Sequence, residues 1–394
     1  MEYMSVKQAA EKWGVSVRRV QSFIKDHRIE GVERFDHHAW MIPTNAKKPG
    51  DPRISYKENE PMSLSTDLCH MIDRTIVSMP MENPDAILED FSEDRFRLHL
   101  ESELAYLRGD YESVIRCFDR TAGDDAARLR ACPLAIAAAI SMGKYDLYTQ
   151  IEGYLRNMIQ ADICVEATMI AELALNTAYV SAIAPNMASD WIKTGDFQSF
   201  PDKVKPDAAY KRAKYFQGLK KFEAMLVTAQ TALSFCDTKR GILYIDIYLR
   251  IACALACCAM DRIQEATDYL VGALQISLPH GFITPFAESA SAFGGLLEKC
   301  IKDQFPEYTF DIAGRWKRTF TNWMDFHNHF TKDNITQMLS LRNYQIASLV
   351  VRKVPYVEIA KKFHISEGRL KNIISEIYGE LFISGRKELS ELVL

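Results

Sequence analysis

The sequence predicts a mainly α protein in three parts. A small winged helix-turn-helix opens the chain, a long run of paired helices fills the middle, and a helix-turn-helix bundle closes it. Three observations carry this. Apolar residues recur at helical spacing from Asp67 almost to the last residue. Short breaks interrupt that pattern at regular intervals. Each end holds two short helices around a tight turn, and the second helix has an apolar back and a basic, polar front.

At the N-terminus, Ser5 is placed to cap a first helix whose apolar side is Val6, Ala9, Ala10 and Trp13, and Gly14 ends it. Ser16 then caps a second helix with the stripe Val17, Val20, Phe23 and Ile24. Arg18, Arg19, Gln21, Ser22 and Lys25 fall on its outer surface. After Ile29 the period changes from helical to alternating. Residues 31–35 and 39–43 read as two short strands around Asp36-His37-His38. These pieces, with Val6-x-x-Ala9-Ala10, Gly14-Val15-Ser16-x-Arg18-x-Val20 and Trp40-x-Ile42-Pro43, resemble the excisionase and MerR-type winged helix-turn-helix. The resemblance implies double-stranded DNA as partner, with Arg34, His37 and His38 touching its backbone near the wing.

Residues 44 to about 65 contain Pro49, Pro52 and Pro61 among polar residues and read as a linker. Breaks then recur at Gly109-Asp110, Gly143-Lys144, Gly218 to Lys221 and Met260-Asp261-Arg262. Each separates the two helices of a pair. The interval from pair to pair is about 35 to 45 residues, the length of a tetratricopeptide-like unit. Small residues such as Ala105, Ala138, Ala139, Ala252 and Ala256 let such helices approach closely. A stack of pairs buries one continuous core and offers a concave surface to a protein, peptide or small-molecule effector. Ala273-Leu274, Gly281-Phe282, Pro285-Phe286 and Glu288 are similar to the closing unit of the MalT-type helical domain. No GxxxxGK[ST] phosphate loop occurs, so nucleotide-driven switching is not implied.

At the C-terminus, Val357, Ile359 and Ala360 form a short helix, a turn follows at residues 363–365, and Ser366 caps a second helix. Leu370, Ile373, Ile374 and Ile377 give that helix its buried stripe. Arg369, Lys371, Asn372 and Ser375 face outward. With Leu339-Ser340-x-Arg342 before and Leu381-x-x-Ser384-x-Arg386 after, this stretch resembles the LuxR-type DNA-binding domain. The resemblance implies that the outward residues enter the major groove, with Arg342 and Lys361 nearer phosphate. Glu376 and Glu380 place negative charge near that face and support an alternative: a tetratricopeptide-like interaction scaffold whose C-terminal helix-turn-helix does not bind DNA. The expected domains are therefore residues 1–53, a linker at 54–66, helical pairs at 67–330 and the terminal bundle at 331–394.

Charge follows the same division. Residues 1–53 and 332–394 each carry +3 and the whole chain −4, which leaves −10 for the stretch between. Basic ends flanking an acidic middle put the polyanion contacts at the termini. At 48% apolar and 25% charged residues, the 394-residue chain has ordinary globular composition. Its start lacks the basic and apolar runs of a signal peptide, and its apolar stretches are too short to span a bilayer, which predicts a cytoplasmic protein. Nine cysteines without a CxxC pair predict buried reduced thiols. His327 and His329 face different sides of a helix and predict no metal centre. Nucleophile-elbow, HExxH and dinucleotide-binding patterns are absent. The expectation is a non-enzymatic, cofactor-free bacterial transcription regulator that dimerises to match two-fold DNA sites.

Overall fold

The computed structural model describes residues 3–25, 29, 31–35, 39–49, 62–236, 241–293, 295–331 and 339–393. The chain is mainly α and divides into two compact units, residues 1–62 and 63–394.

In the first unit, Ser5 ends strand β1 (Tyr3–Ser5) and caps α1 (Val6–Trp13), with Gln8 returning the bond in a capping box. Ser16 Oγ accepts from Arg19 N at 3.2 Å at the start of α2 (Val17–Lys25). Strands β2 (Glu33–Phe35) and β3 (Ala39–Pro43) pair antiparallel, as the alternation predicts. The sequence did not reveal that β1 pairs with the other edge of β3, in the order β1-β3-β2. The core joins Met4, Ala9, Ala10, Trp13, Val20, Phe23, Ile24, Ile29 and Ile42. Val17 departs from expectation: it is 42% exposed, because Val20, Phe23 and Ile24 already fill the contact with α1.

The second unit begins with α3 (Leu64–Thr75), which starts before the expected Asp67 because Ser63 caps it through Thr66 N at 3.3 Å. Helix pairs follow: α4 (Asp94–Arg108) with α5 (Tyr111–Asp119), α6 (Asp125–Met142) with α7 (Tyr145–Ala161), and α8 (Val165–Ser181) with the short α9 (Asp190–Thr194) after it. Next come α10 (Lys205–Gly218) with α11 (Phe222–Ser234) and α12 (Tyr244–Ala259) with α13 (Ile263–Ser277). The first helix of each pair packs beside the next: α4 on α6, α6 on α8, α8 on α10, and α10 on α12. The row continues into the short α14 (Thr284–Ser289), which packs on α12 and returns to α4. Six helices thus close a ring. Helices α6, α8 and α12 are apolar nearly all round because neighbours cover them on more than one side.

After α15 (Leu296–Gln304), the long α16 (Thr309–Thr331) crosses the ends of the pairs. Arg315 Nη1 donates to the carbonyl of Gly109 at 2.5 Å, Asn322 Nδ2 to Ser141 O at 2.8 Å, and Trp323 Nε1 to Ser181 O at 2.6 Å. His327 Nδ1 lies 2.6 Å from Ala182 O, which makes that nitrogen the protonated one. These carbonyls belong to helix C-termini, which lack intrahelical partners. Arg315 and Asn322 are seven residues apart, a rise of about 10 Å along α16. That matches the 8–10 Å spacing of packed helices, so one helix serves successive pairs. Gly109 and Gly143 turn the chain in left-handed geometry (φ 76° and 68°) where α16 approaches.

Helices α17 (Leu341–Val351), α18 (Tyr356–Lys362), α19 (Glu367–Glu380) and α20 (Arg386–Leu392) form the terminal bundle. Its core contains the expected Ile359, Ala360, Leu370, Ile373, Ile374 and Ile377, and also Phe320 and Met324 from α16. Lys362 Nζ reaches Glu298 Oε1 on α15 at 2.5 Å, which adds a polar tie. Val357, at 60% exposure, stands outside this core because its neighbours Ile359 and Ala360 supply the inward face of α18.

Candidate functional site

Three surfaces concentrate polar and charged side chains. The first is the outer face of α2. Arg18, Arg19, Gln21 and Lys25 are exposed there and Ser22 is half-buried. Arg19 lies over the Phe23 ring at 5.1 Å, which directs its guanidinium along the helix surface. Arg34, exposed on β2, stacks over Trp40, its register partner on β3, at 5.2 Å. His37 and His38 lie outside the described residues.

The second surface is the outer face of α19. Ser366 Oγ accepts from Arg369 N at 3.2 Å and fixes the start of the helix. Leu370, Ile373, Ile374 and Ile377 hold its back, and Arg369, Lys371, Asn372 and Ser375 are exposed on its front. Arg342 and Lys361 are also exposed, on α17 and α18. Arg369 Nη1 forms an ion pair with Glu376 Oε1 at 3.2 Å, two turns along the same helix. The positive charge of this face is therefore partly answered within it. Glu380, also exposed, adds a further negative charge.

The third lies inside the ring of the second unit. A cavity of about 150 Å³ is lined from α4, α6, α8, α10, α12 and α14, with the end of α3 against it. Tyr106, Tyr244, Tyr248 and Tyr210 make one aromatic wall, with successive ring centroids 6.4, 5.1 and 5.5 Å apart. Tyr106 donates its hydroxyl to Glu288 Oε1, and Tyr248 donates to Glu288 Oε2 at 3.2 Å. Enclosure of Glu288 pushes its carboxyl up to about 7, with the two hydroxyls and nearby Lys214 acting the other way. Burial likewise pulls the Lys214 ammonium down to about 8, opposed by Glu288. Burial first, and Glu288 second, raise the phenols of Tyr106, Tyr244 and Tyr248, so their hydroxyls stay protonated donors. The other charges on the wall are paired. Arg130 lies 3.7 Å from Glu103, and Lys211 lies 2.7 Å from Asp207.

The two helix faces were legible as surfaces in the sequence. The cavity was not, although Tyr244 and Tyr248 four residues apart on a mainly apolar helix were a signal of a shared face. In the sequence, Glu288 stands out only as part of a family pattern. Its chemistry depends on tyrosines from α4 and α12.

Among the described residues, no helix is long and apolar enough to cross a membrane, and no three His, Cys, Asp or Glu side chains gather as a metal site would require. The described cysteines are free thiols. No family model, curated protein or solved structure matches the chain.

Proposed function

We propose that this protein is a bacterial DNA-binding transcription regulator of the cytoplasm. The first unit acts as a winged helix-turn-helix of the excisionase and MerR type, α17–α20 as a LuxR-type helix-turn-helix, and the helical pairs between as a tetratricopeptide-like effector domain. The observation that carries the reading is the outer face of α2. Arg18, Arg19, Gln21 and Lys25 are exposed on a helix whose back is locked by Val20, Phe23 and Ile24. A helix backed by core and presenting cationic and amide side chains has the form that enters a major groove. The hairpin β2–β3, with Arg34 stacked on Trp40, supplies a backbone contact beside it. The terminal face of α19 offers a second grip through Lys371, Asn372 and Ser375.

The reading is tested by gel shift of the full chain on the DNA upstream of its own gene at two salt concentrations. Specific binding with a steep salt slope is expected. Arg18→Ala together with Arg19→Ala should weaken it by roughly 1–3 kcal/mol per base-reading contact. Sequence-specific binding that survives both substitutions overturns the assignment of α2.

A second reading has one observation in its favour. The Arg369–Glu376 ion pair and Glu380 make the α19 face less cationic than its sequence suggests. On that reading the protein is a tetratricopeptide-like interaction scaffold, and the gel shift finds no binding at either salt concentration.

A further inference from the structure

The cavity inside the helical ring has a definite charge pattern. Two of its ion pairs are closed on themselves, Arg130 with Glu103 and Lys211 with Asp207. Lys203 is held by Asp73, outside the lining, at 3.8 Å, and two opposite charges are left over. Among the described residues, Glu288 has no cation within the 4.0 Å of an ion pair, and its oxygens take only the hydroxyls of Tyr106 and Tyr248. A carboxylate has about four lone-pair sites, so Glu288 keeps accepting capacity on its cavity side. Lys214 bonds to the amide oxygen of Gln217, which leaves donor capacity on its three-donor ammonium. Both line the same cavity, close enough to bias each other's protonation but not in contact.

Enclosing two unpaired charges is costly, and a direct salt bridge between them would have lowered that cost. A guest that carries the opposite charge at each end would answer both. The aromatic wall adds to this. Tyr106, Tyr210, Tyr244 and Tyr248 surround the carboxylate side, and tyrosine faces attract ammonium groups. The volume sets the size. A volume of about 150 Å³ is that of a cavity known to hold benzene, which gives room for one small molecule.

We propose that the ring binds a small zwitterion of the free α-amino acid class, its ammonium on Glu288 and the tyrosine wall and its carboxylate on Lys214. This deepens the effector part of the function proposed above by naming the ligand class. The measurement needs no DNA, so its failure and the failure of the DNA-binding reading are separable.

The test is calorimetric titration of the full chain with each of the twenty standard α-amino acids. Any that binds is compared with its decarboxylated amine and its N-acetyl form. Saturable binding by at least one amino acid is expected, with each single-charge analogue weaker by about tenfold or more. Glu288→Gln should abolish the preference for the amino acid over its N-acetyl form, and Lys214→Met the preference over the amine. Circular dichroism of both variants establishes that they fold. If Glu288→Gln does not, Tyr248→Phe, which removes one hydroxyl donor to the carboxylate, takes its place. No binding by any of the twenty overturns the proposal. So does an amine that binds as tightly as its parent amino acid, or binding that both Glu288→Gln and Lys214→Met leave intact.

Discussion

Tyr106 and Glu288 stand 182 residues apart in the chain and share a hydrogen bond. Tyr106 is on the first helix of the ring and Glu288 on the last, so this bond lies where the ring closes. Tyr248 on α12 supplies the second hydroxyl. The carboxyl therefore ties three helices together and also faces the cavity.

A pH dependence follows from that placement. Burial raises the Glu288 carboxyl from 4.5 to about 7. Between about pH 4.5 and 7 the native state thus holds a proton there that the unfolded chain has released, and above that range the group is a carboxylate in both. Its stabilising contribution is full below about 4.5 and is lost as pH rises to about 7. The groups facing it do not confuse this window. Tyr106, Tyr111, Tyr210, Tyr244 and Tyr248 are all raised above 10.0, and Lys214 titrates at about 8. Urea unfolding of wild type and Glu288→Gln across that range should show a smaller fall in stability for the variant. Parallel curves would contradict the assignment.

The left-handed turn at Gly109 meets α16. A Cβ there would lie 1.8 Å from Arg315 Nη1, whereas one at Gly123, also left-handed at φ 86°, meets nothing within 4 Å. Gly123→Ala should cost about 1 kcal/mol from backbone strain alone. Gly109→Ala should cost about 1–3 kcal/mol more, since it also displaces the guanidinium from its carbonyl. Denaturant midpoints measure both. Arg315→Ala added to Gly109→Ala should cost less than the two single changes summed.

Phe320 carries the attachment of the terminal bundle. It is 6% exposed, stacks on Trp323 at 5.3 Å and meets Tyr344 of α17 at 5.6 Å. Phe320→Ala should cost about 3–5 kcal/mol. Hydrogen exchange should rise more in α17–α20 than in α4–α8, because the lost contacts join α16 to the bundle. Uniform loss of protection through both regions would count against this role.

Glu376 restrains Arg369. On the DNA-binding reading, Glu376→Gln frees a guanidinium and removes a negative charge from the groove face. Affinity should rise, and the slope of log affinity against log salt should steepen by about one. Fluorescence anisotropy at several salt concentrations reads both. An unchanged affinity and slope would place the α19 face away from DNA.

The thiols of Cys132 and Cys253 are pushed up to about 12 by burial. At pH 8 almost none of either is thiolate, and the thiolate is the reactive form. Both should resist alkylation in the native protein and react on unfolding, as mass spectrometry of the labelled peptides would show.

Local patterns carried much of this architecture. Ser5, Ser16 and Ser366 cap the helices they precede, and the stripe Leu370, Ile373, Ile374 and Ile377 is the buried back of α19. Val17 misled because periodicity identifies an apolar side but not how far a neighbour covers it. The pairing of β1 with β3 was hidden because three residues leading into a helix cap carry too little alternation to mark a strand. For the candidate faces, residue types and outward placement were readable. The pairing of Arg369 with Glu376 was not, because side-chain direction decides it.

The sequence alone determined the mainly α class, the helix breaks and the chemistry of each helix surface, since caps, turns and apolar spacing act within a few residues. Only the tertiary structure decided that six helices close on themselves, that α16 serves the ends of successive pairs, and that Glu288 meets Tyr106 and Tyr248 around a cavity. Those outcomes depend on contacts between segments far apart in the chain, and helical periodicity specifies which side of a helix is buried without specifying its partner.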